Sequence, residues 1–281
     1  MTGLARDVAK LLPRELNRIE KELNDIFEIV NFLIIESDSK DNTEKVLEDI
    51  KNERNNFNYK SLGAIESILP NRIQRLAFCR NEYVKEMREN KLYKDVDFVA
   101  IVDFDIKNNR LRLNELKKLI GEHSWDAIFA NQTGRYYDIY ALRKKGWVET
   151  DCFIEYRRFS LSMDPQAAKD LAIWSKMKKI KKDSPLIPVD SAFGGLGIYK
   201  KEVFVRFDYS LLPGKLHESE HVSLHKKIRD SDGLLFIVPN MTNFSWGTNN
   251  LSSFKIFRTL DQASNRKGFT TIRRFARKLL S

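Results

Sequence analysis

Asp103-Phe104-Asp105 closes the apolar run from Phe98 to Val102. Strand alternation sets the two carboxylates on one side. There they could hold a hard divalent cation, Mg2+ or Mn2+, and such a cation bridges the phosphates of a nucleotide. A solvated strand end would show the same pair, so the motif depends on its neighbours. The segment Glu36-Ser-Asp-Ser-Lys-Asp-Asn-Thr43 closes a second apolar run and opens a helix. The amides of that helix start favour negative groups, a capping Asp41 or a ligand phosphate. Asp41 and Thr43 read as helix-start residues. Glu36 and Asp38 stand as candidates, because their strand is expected to end beside the Asp103 strand.

Arg72, Arg75 and Arg80 lie in the helix that feeds the Asp103 strand. A guanidinium there could pair bidentately with a diphosphate. Asp138 and Arg143, with Tyr136, Tyr137 and Tyr140, could line a sugar pocket, since tyrosine faces suit sugar rings; for Tyr140 an aromatic core role fits better. Gly194-Gly195 would let backbone come close to a ligand, or simply turn. Glu220 and His221 open a further helix. His217, His221 and His225 are four apart and share a face. That spacing invites a zinc reading, but no cysteine or acidic ligand pattern accompanies it, and a partly exposed helix is expected instead. The five lysines between Lys176 and Lys182 read as a solvated surface.

These residues need elements to position them. Leu12, Leu16, Ile19, Leu23 and Ile26 make one face of a helix. Ile29 to Glu36 reads as a buried parallel strand, and a helix follows from Thr43. Asn52 to Ser67 is expected to be an irregular loop and Arg72 to Arg88 a helix. The strand Asp97 to Asp103, the helix Leu111 to Ile120 and the strand Trp125 to Ala130 continue the alternation. After the glycine turn come a helix from Glu220 to Arg229 and a strand from Leu234 to Val238. Strands alternating with helices predict an α/β fold with a mostly parallel sheet. Ligands in such sheets sit beyond the carboxyl ends of the strands.

The 281 residues, 42% hydrophobic and 31% charged, have the apolar content of a packed domain rather than a disordered chain. Two distant cysteines, Cys79 and Cys152, argue against a zinc ribbon or a disulfide scaffold and fit a reducing compartment. No membrane span or signal peptide is read, which predicts a soluble, cytoplasmic chain. Of the net charge of +10, the segment from Lys255 to Ser281 supplies +7. The expected division is a catalytic domain over 1–254 and a basic tail over 255–281. In that tail Phe269, Ile272, Ala276, Leu279 and Leu280 share one helical face, opposite Arg266, Lys267, Arg273, Arg274, Arg277 and Lys278. Such a helix could rest on an anionic membrane surface, or pack on the domain with its charges in water.

The order E-S-D-S-K-D-N-T, then L-A-x-x-R-N, then a strand ending D-x-D resembles nucleotide-sugar glycosyltransferases of the GT-A fold. The resemblance runs over about residues 3 to 240. It is strongest to the fungal capsular α-mannosyltransferases and related bacterial capsule or lipopolysaccharide enzymes. Gly3-Leu-Ala-Arg-Asp7, Tyr136 to Arg143, Ser191-Ala-Phe-Gly-Gly195 and Ser219-Glu-His221 follow in the family's order. The resemblance implies transfer of a sugar from a nucleotide-sugar donor to a glycan or lipid-linked acceptor in surface polysaccharide synthesis. It implies Arg6, Glu36, Asp38, Arg80, Asp103, Asp138, Gly194 and Gly195 at the donor, with Glu36 and Asp38 facing base and ribose and Arg80 the diphosphate. Asp103 and Asp105 would hold Mn2+ or Mg2+, with His221 as a third ligand. Asp105 also counts as catalytic, and Glu220 would be the acceptor-side acid or base. In the family a strand precedes the G-L-A-R-D loop, and a chain beginning Met1-Thr2-Gly3 is expected to lack it or to have a misassigned start.

Other classes fit less well. A haloacid-dehalogenase-like phosphatase needs Thr or Val where Lys107 stands. No helix-turn-helix or aromatic RNA-binding signature supports nucleic-acid binding, and no nucleic acid is expected as a partner. A nucleotidyltransferase is the nearest enzymatic alternative.

Overall fold

Leu12, Leu16, Ile19 and Leu23 are fully buried, so the apolar stripe seats helix α1 (Leu12–Asn24) on a sheet. A computed structural model describes residues 1–105, 108–122, 124–214 and 218–243. His217 and the basic tail lie outside the described residues. The strands are β1 (Thr2–Ala5), β2 (Phe32–Glu36), β3 (Phe57–Ser61), β4 (Phe98–Val102), β5 (Ala127–Asn131), β6 (Ile187–Pro188), β7 (Leu196–Lys200) and β8 (Leu235–Thr242). The remaining helices are α2 (Thr43–Glu53), α3 (Arg72–Glu89), α4 (Asn114–Ile120), α5 (Cys152–Phe159), α6 (Pro165–Ala172), α7 (Lys201–Phe204) and α8 (Glu220–Arg229).

The strands form one sheet in the order β3-β2-β1-β4-β7-β5-β8-β6. All five residues of β2 are buried, as expected of a parallel strand covered on both faces. Leu33 and Ile35 pack into one apolar layer, with α3 residues Tyr83 and Val84. Phe32 and Ile34 pack into the other, with Leu16 of α1 and Leu47 of α2. The period of two thus divides one strand between two cores.

Four corrections to the sequence reading follow. The segment Asn52 to Ser67 is not all loop, because β3 pairs parallel with β2. It is an edge strand, so Asn58 and Lys60 face partly outward and hide the apolar pattern. The first strand is present: Thr2–Ala5 pairs parallel with both β2 and β4. Gly3 permits that pairing, since a Cβ there would come within 2.4 Å of the Val102 carbonyl oxygen. The glycine-rich stretch continues into β7, which runs antiparallel between β4 and β5. Finally, α8 is not a partly exposed helix: Glu220 to His225 and Ile228 are all buried.

The antiparallel β7 matters for the site. Its beginning, not its end, lies at the rim where β1, β2, β3, β4, β5 and β8 finish. Gly194-Gly195 therefore meets Asp103, whose backbone N–H donates to the Gly195 carbonyl at 3.0 Å.

Candidate active site

At the ends of β1 and β2 two non-glycine residues are left-handed, Asp7 (φ 55°) and Asp38 (φ 60°). Aspartate tolerates this region because its short side chain hydrogen-bonds locally. Asp38 is held from a distant loop, accepting from the Glu66 backbone N–H at 2.7 Å. Its second oxygen stands 3.5 Å from Nε of Arg75. Arg75 donates to Glu66 at 2.9 Å, and Arg6 donates to the same carboxylate at 2.7 Å. Arg6, Glu66, Arg75 and Asp38 thus form one chain of charges. The Glu36 carboxylate is buried, accepting from the Ser39 N–H at 3.0 Å and the Ser61 hydroxyl at 2.6 Å. In this structure the Glu36 and Asp38 carboxylates shape the loops of the rim. Arg72, by contrast, is exposed.

Arg80 anchors the second cluster. It is buried on α3, donates from Nε to Glu220 at 2.9 Å and from Nη1 to the Tyr83 hydroxyl at 3.1 Å. Its Nη2 stands 3.6 Å from Asp103. The guanidinium also lies over the rings of Phe193 and Tyr209, 5.5 and 5.7 Å from their centres. Burial opposes its charge, but Tyr83, Glu220, Tyr209 and Asp103 hold its pKa above the ordinary value. Asp103 shows the opposite strain. Burial first, then the nearby Asp105 carboxylate, raises its pKa despite Arg80.

Asp138 clamps the glycine turn. Its carboxylate accepts from the Gly194 N–H at 3.0 Å and the Ala141 N–H at 3.2 Å, and burial raises its pKa. Gly194 has φ 68°, and a Cβ there would lie 2.6 Å from the Ala130 carbonyl oxygen. Gln132 and Asn243 donate to its carbonyl at 3.0 and 2.8 Å. The close approach made possible by glycine is thus to the end of β5. Arg143 is drawn into a separate knot with Asp151 and Glu218, at 3.2 and 3.1 Å, and Tyr140 packs edge-on against Phe153.

The histidines of α8 differ. The Ser191 hydroxyl gives its proton to the Ala141 carbonyl at 2.6 Å, so it accepts from Nδ1–H of His225 at 2.8 Å. Nε2 of His225 then accepts from the Tyr199 hydroxyl at 2.7 Å. His225 is a neutral core residue whose pKa burial lowers to about 3. His221 stacks on Phe193 with ring centres 3.9 Å apart, and both of its buried nitrogens lack a hydrogen-bond partner.

Among the described residues no three His, Cys, Asp or Glu side chains converge as ligands of one cation. The acid pair nevertheless suits a hard divalent ion that takes its remaining oxygens from a diphosphate. Burial and then the repulsion from Asp105 raise the Asp103 pKa, and such an ion would relieve the repulsion; the buried His221 imidazole is not brought to the acid pair as a third ligand.

Sequence reasoning missed several residues. Glu66 and Arg75 complete the first chain, and Gln132 and Asn243 hold the glycine turn. Glu15 is fully buried in α1 and its carboxylate accepts from the Asn108 N–H at 2.8 Å. The Asn108 side chain reaches back to the Asp103 carbonyl at 3.3 Å, tethering the far limb of the D-x-D loop. The signal for Glu15 was a carboxylate on the apolar face of α1, one position before Leu16.

No protein-family model matches the chain, and no curated protein matches it. Solved structures do. A mannosyltransferase from Pyrobaculum calidifontis, PcManGT, in complex with GDP-Man and Mn2+, aligns over 92% of this chain and 59% of its own, at 15% identity and TM-score 0.51. Staphylococcus aureus TarS (residues 1–349) aligns over 95% of this chain and 65% of its own, at 14% identity and TM-score 0.47. Mannosyl-3-phosphoglycerate synthase from Rubrobacter xylanophilus aligns over 95% and 74%, at 14% identity and TM-score 0.43. The chain spans less than two thirds of the first two. The mannosyltransferase alignment and the mixed α/β sheet together give this chain the GT-A fold.

Proposed function

We propose that this chain is a glycosyltransferase that moves a sugar from a nucleotide-sugar donor to a glycan or lipid-linked acceptor in surface polysaccharide synthesis. The observation that carries the reading is the pairing of Asp103 and Glu220 with buried Arg80 at the rim of a GT-A sheet, with the Asp138 carboxylate near enough to Asp103 to help raise its pKa. The structurally similar mannosyltransferase holds GDP-Man and Mn2+, which supports a nucleotide-sugar and a divalent cation here.

Departure of a nucleoside diphosphate develops negative charge. In this reading Asp103 and Asp105 hold Mn2+ or Mg2+, and the ion would supply positive charge to the leaving phosphates. Arg80 adds fixed positive charge, held in place by Glu220 and two aromatic rings, so it needs no reorganisation during transfer. The sugar passes through an oxocarbenium-like state, which nearby carboxylates stabilise electrostatically. Asp138 positions the Gly194-Gly195 backbone against the donor or acceptor, and Glu220 serves the acceptor side. Arg6, Glu36 and Asp38 line the nucleotide end through the loops they brace.

A thermal-shift screen of nucleoside diphosphates and their sugars, with and without Mn2+, tests this. One nucleotide series should raise the melting temperature, and more so with Mn2+. Asp105→Ala should abolish transfer and the Mn2+-dependent shift while leaving the unliganded melting temperature unchanged, because Asp105 is exposed. Near-normal turnover in that variant, or indifference of the native chain to chelator, overturns the metal assignment.

A further inference from the structure

Arg110, Arg112, Thr133 and Lys182 line a cavity of about 210 Å3 that the donor reading does not use. It lies at the ends of β5 and β8, on the half of the sheet away from β1, β2 and β3. The backbone N–H groups of Arg110 and Arg112 donate to the carbonyls of Asn243 and Thr242 at 3.1 and 2.7 Å. The Thr242 hydroxyl donates to the Arg110 carbonyl at 2.9 Å. The arginine backbones are therefore fixed to β8 while their side chains are exposed. Arg135 bridges in antiparallel fashion to Lys179, which brings the lysine-rich stretch to the same edge. Among the described residues, the intervening ion pairs Lys118–Glu115 and Arg143–Asp151 leave out Arg110, Arg112 and Lys182.

Like charges gathered along one cavity repel one another, and a dianion among them lowers that repulsion. Two arginines and a lysine with a threonine hydroxyl match the oxygens of a phosphate. One water needs only about 10–15 Å3 of such space, so the cavity has room for a phosphate. The cavity is also tied to the reaction rim. Asn243 accepts from Arg110 with its backbone and holds the Gly194 carbonyl with its side chain. Gln132, beside Thr133, donates to the same carbonyl. Arg110 follows Asp105 on the D-x-D loop.

We propose that this cavity binds a phosphate group carried by the acceptor and so fixes the acceptor beside the donor sugar. Its role as an acceptor site rests on the glycosyltransferase reading; the phosphate site itself does not. The phosphate could belong to a soluble or glycan-borne ester or to a lipid.

Calorimetric titrations of the full chain at constant ionic strength test it, with inorganic phosphate and monomeric dihexanoyl phosphatidic acid as probes. Arg110→Gln/Arg112→Gln should bind both about tenfold more weakly than wild type, as expected from losing two charge-assisted contacts. Asp105→Asn should bind them as wild type does. Tighter binding of the lipid phosphate assigns the group to a lipid-linked acceptor, and tighter binding of inorganic phosphate assigns it to a soluble or glycan-borne one; both support the site. Equal binding by wild type and the double variant, or no saturable binding by either, overturns it. Phosphate binding without any nucleotide shift would sink the donor reading and leave the cavity standing. A nucleotide shift without phosphate binding would sink the cavity alone.

Discussion

Arg80 joins buried Glu220, 140 positions away, to Asp103 at the rim, whose side chain is 31% exposed, so its removal strands the Glu220 carboxylate inside the domain. Breaking a buried pair by deleting one partner costs about 3–5 kcal/mol. Arg80→Gln should therefore lower unfolding free energy by about that much in urea titrations without nucleotide. A loss below about 1 kcal/mol would show that the cluster is solvated and contributes little. The same residue shows what the sequence could and could not tell. The types Arg, Asp and Glu and their places at element ends were legible. Their pairing was not, because ion pairs between α3, the end of β4 and the start of α8 follow from the packing of the sheet. Glu66 and Arg75 were hidden for the same reason: their shared partner, Asp38, depends on a left-handed backbone that no side-chain pattern announces.

Helices α1, α2 and α3 and strands β2, β4 and β5 were legible because their apolar spacing is regular. Edge strand β3 was masked by polar residues, and β7 by Gly194, Gly195 and Gly197. In that turn, Gly194→Ala would need a φ of 68° and a Cβ 2.6 Å from the Ala130 carbonyl. Strain of this kind costs on the order of 1–3 kcal/mol, so the variant should melt lower and lose activity by displacing the turn from Asp103. Unchanged melting would mean that the turn relaxes freely. Helix α8 makes a pH prediction. Its His225 is hemmed in by Ser191, Tyr199, Phe129 and His221, with Arg80 also opposing protonation. The unfolded chain takes up a proton on His225 below about pH 6.5, whereas the folded chain does so only near pH 3. Stability is therefore full above pH 6.5 and falls as pH drops below it, by on the order of 1 kcal/mol per unit from this group. His225→Gln should be less stable at pH 7, having lost its bond with Tyr199 or Ser191, yet lose less between pH 7 and pH 5. An equal slope in both proteins would place the acid sensitivity elsewhere.

Across the whole molecule the charge is divided unequally, with +7 of the net +10 in residues 255–281. No described helix is long and apolar enough to cross a membrane. The tail lies outside the described residues, and its sequence alone carries the expectation. Phe269, Ile272, Ala276, Leu279 and Leu280 share one face at helical spacing; Lys267, Arg274 and Lys278 fall opposite, and Arg266, Arg273 and Arg277 flank the apolar edge. A helix of that make-up would lie in the headgroup layer with its apolar side down. Each basic residue near an anionic surface contributes about 1 kcal/mol, an attraction that fades within a Debye length. Six of them would make binding strong in low salt and steeply weaker in high salt. The full chain should sediment with vesicles of phosphatidylcholine and phosphatidylglycerol at low salt and be released by salt. It should bind neutral phosphatidylcholine vesicles poorly, because the apolar face alone is short. A chain ending at Ser264 should stay in the supernatant with both. If full and shortened chains bind anionic vesicles equally, or neither binds, the tail is not a membrane anchor and its charges serve the domain or another partner.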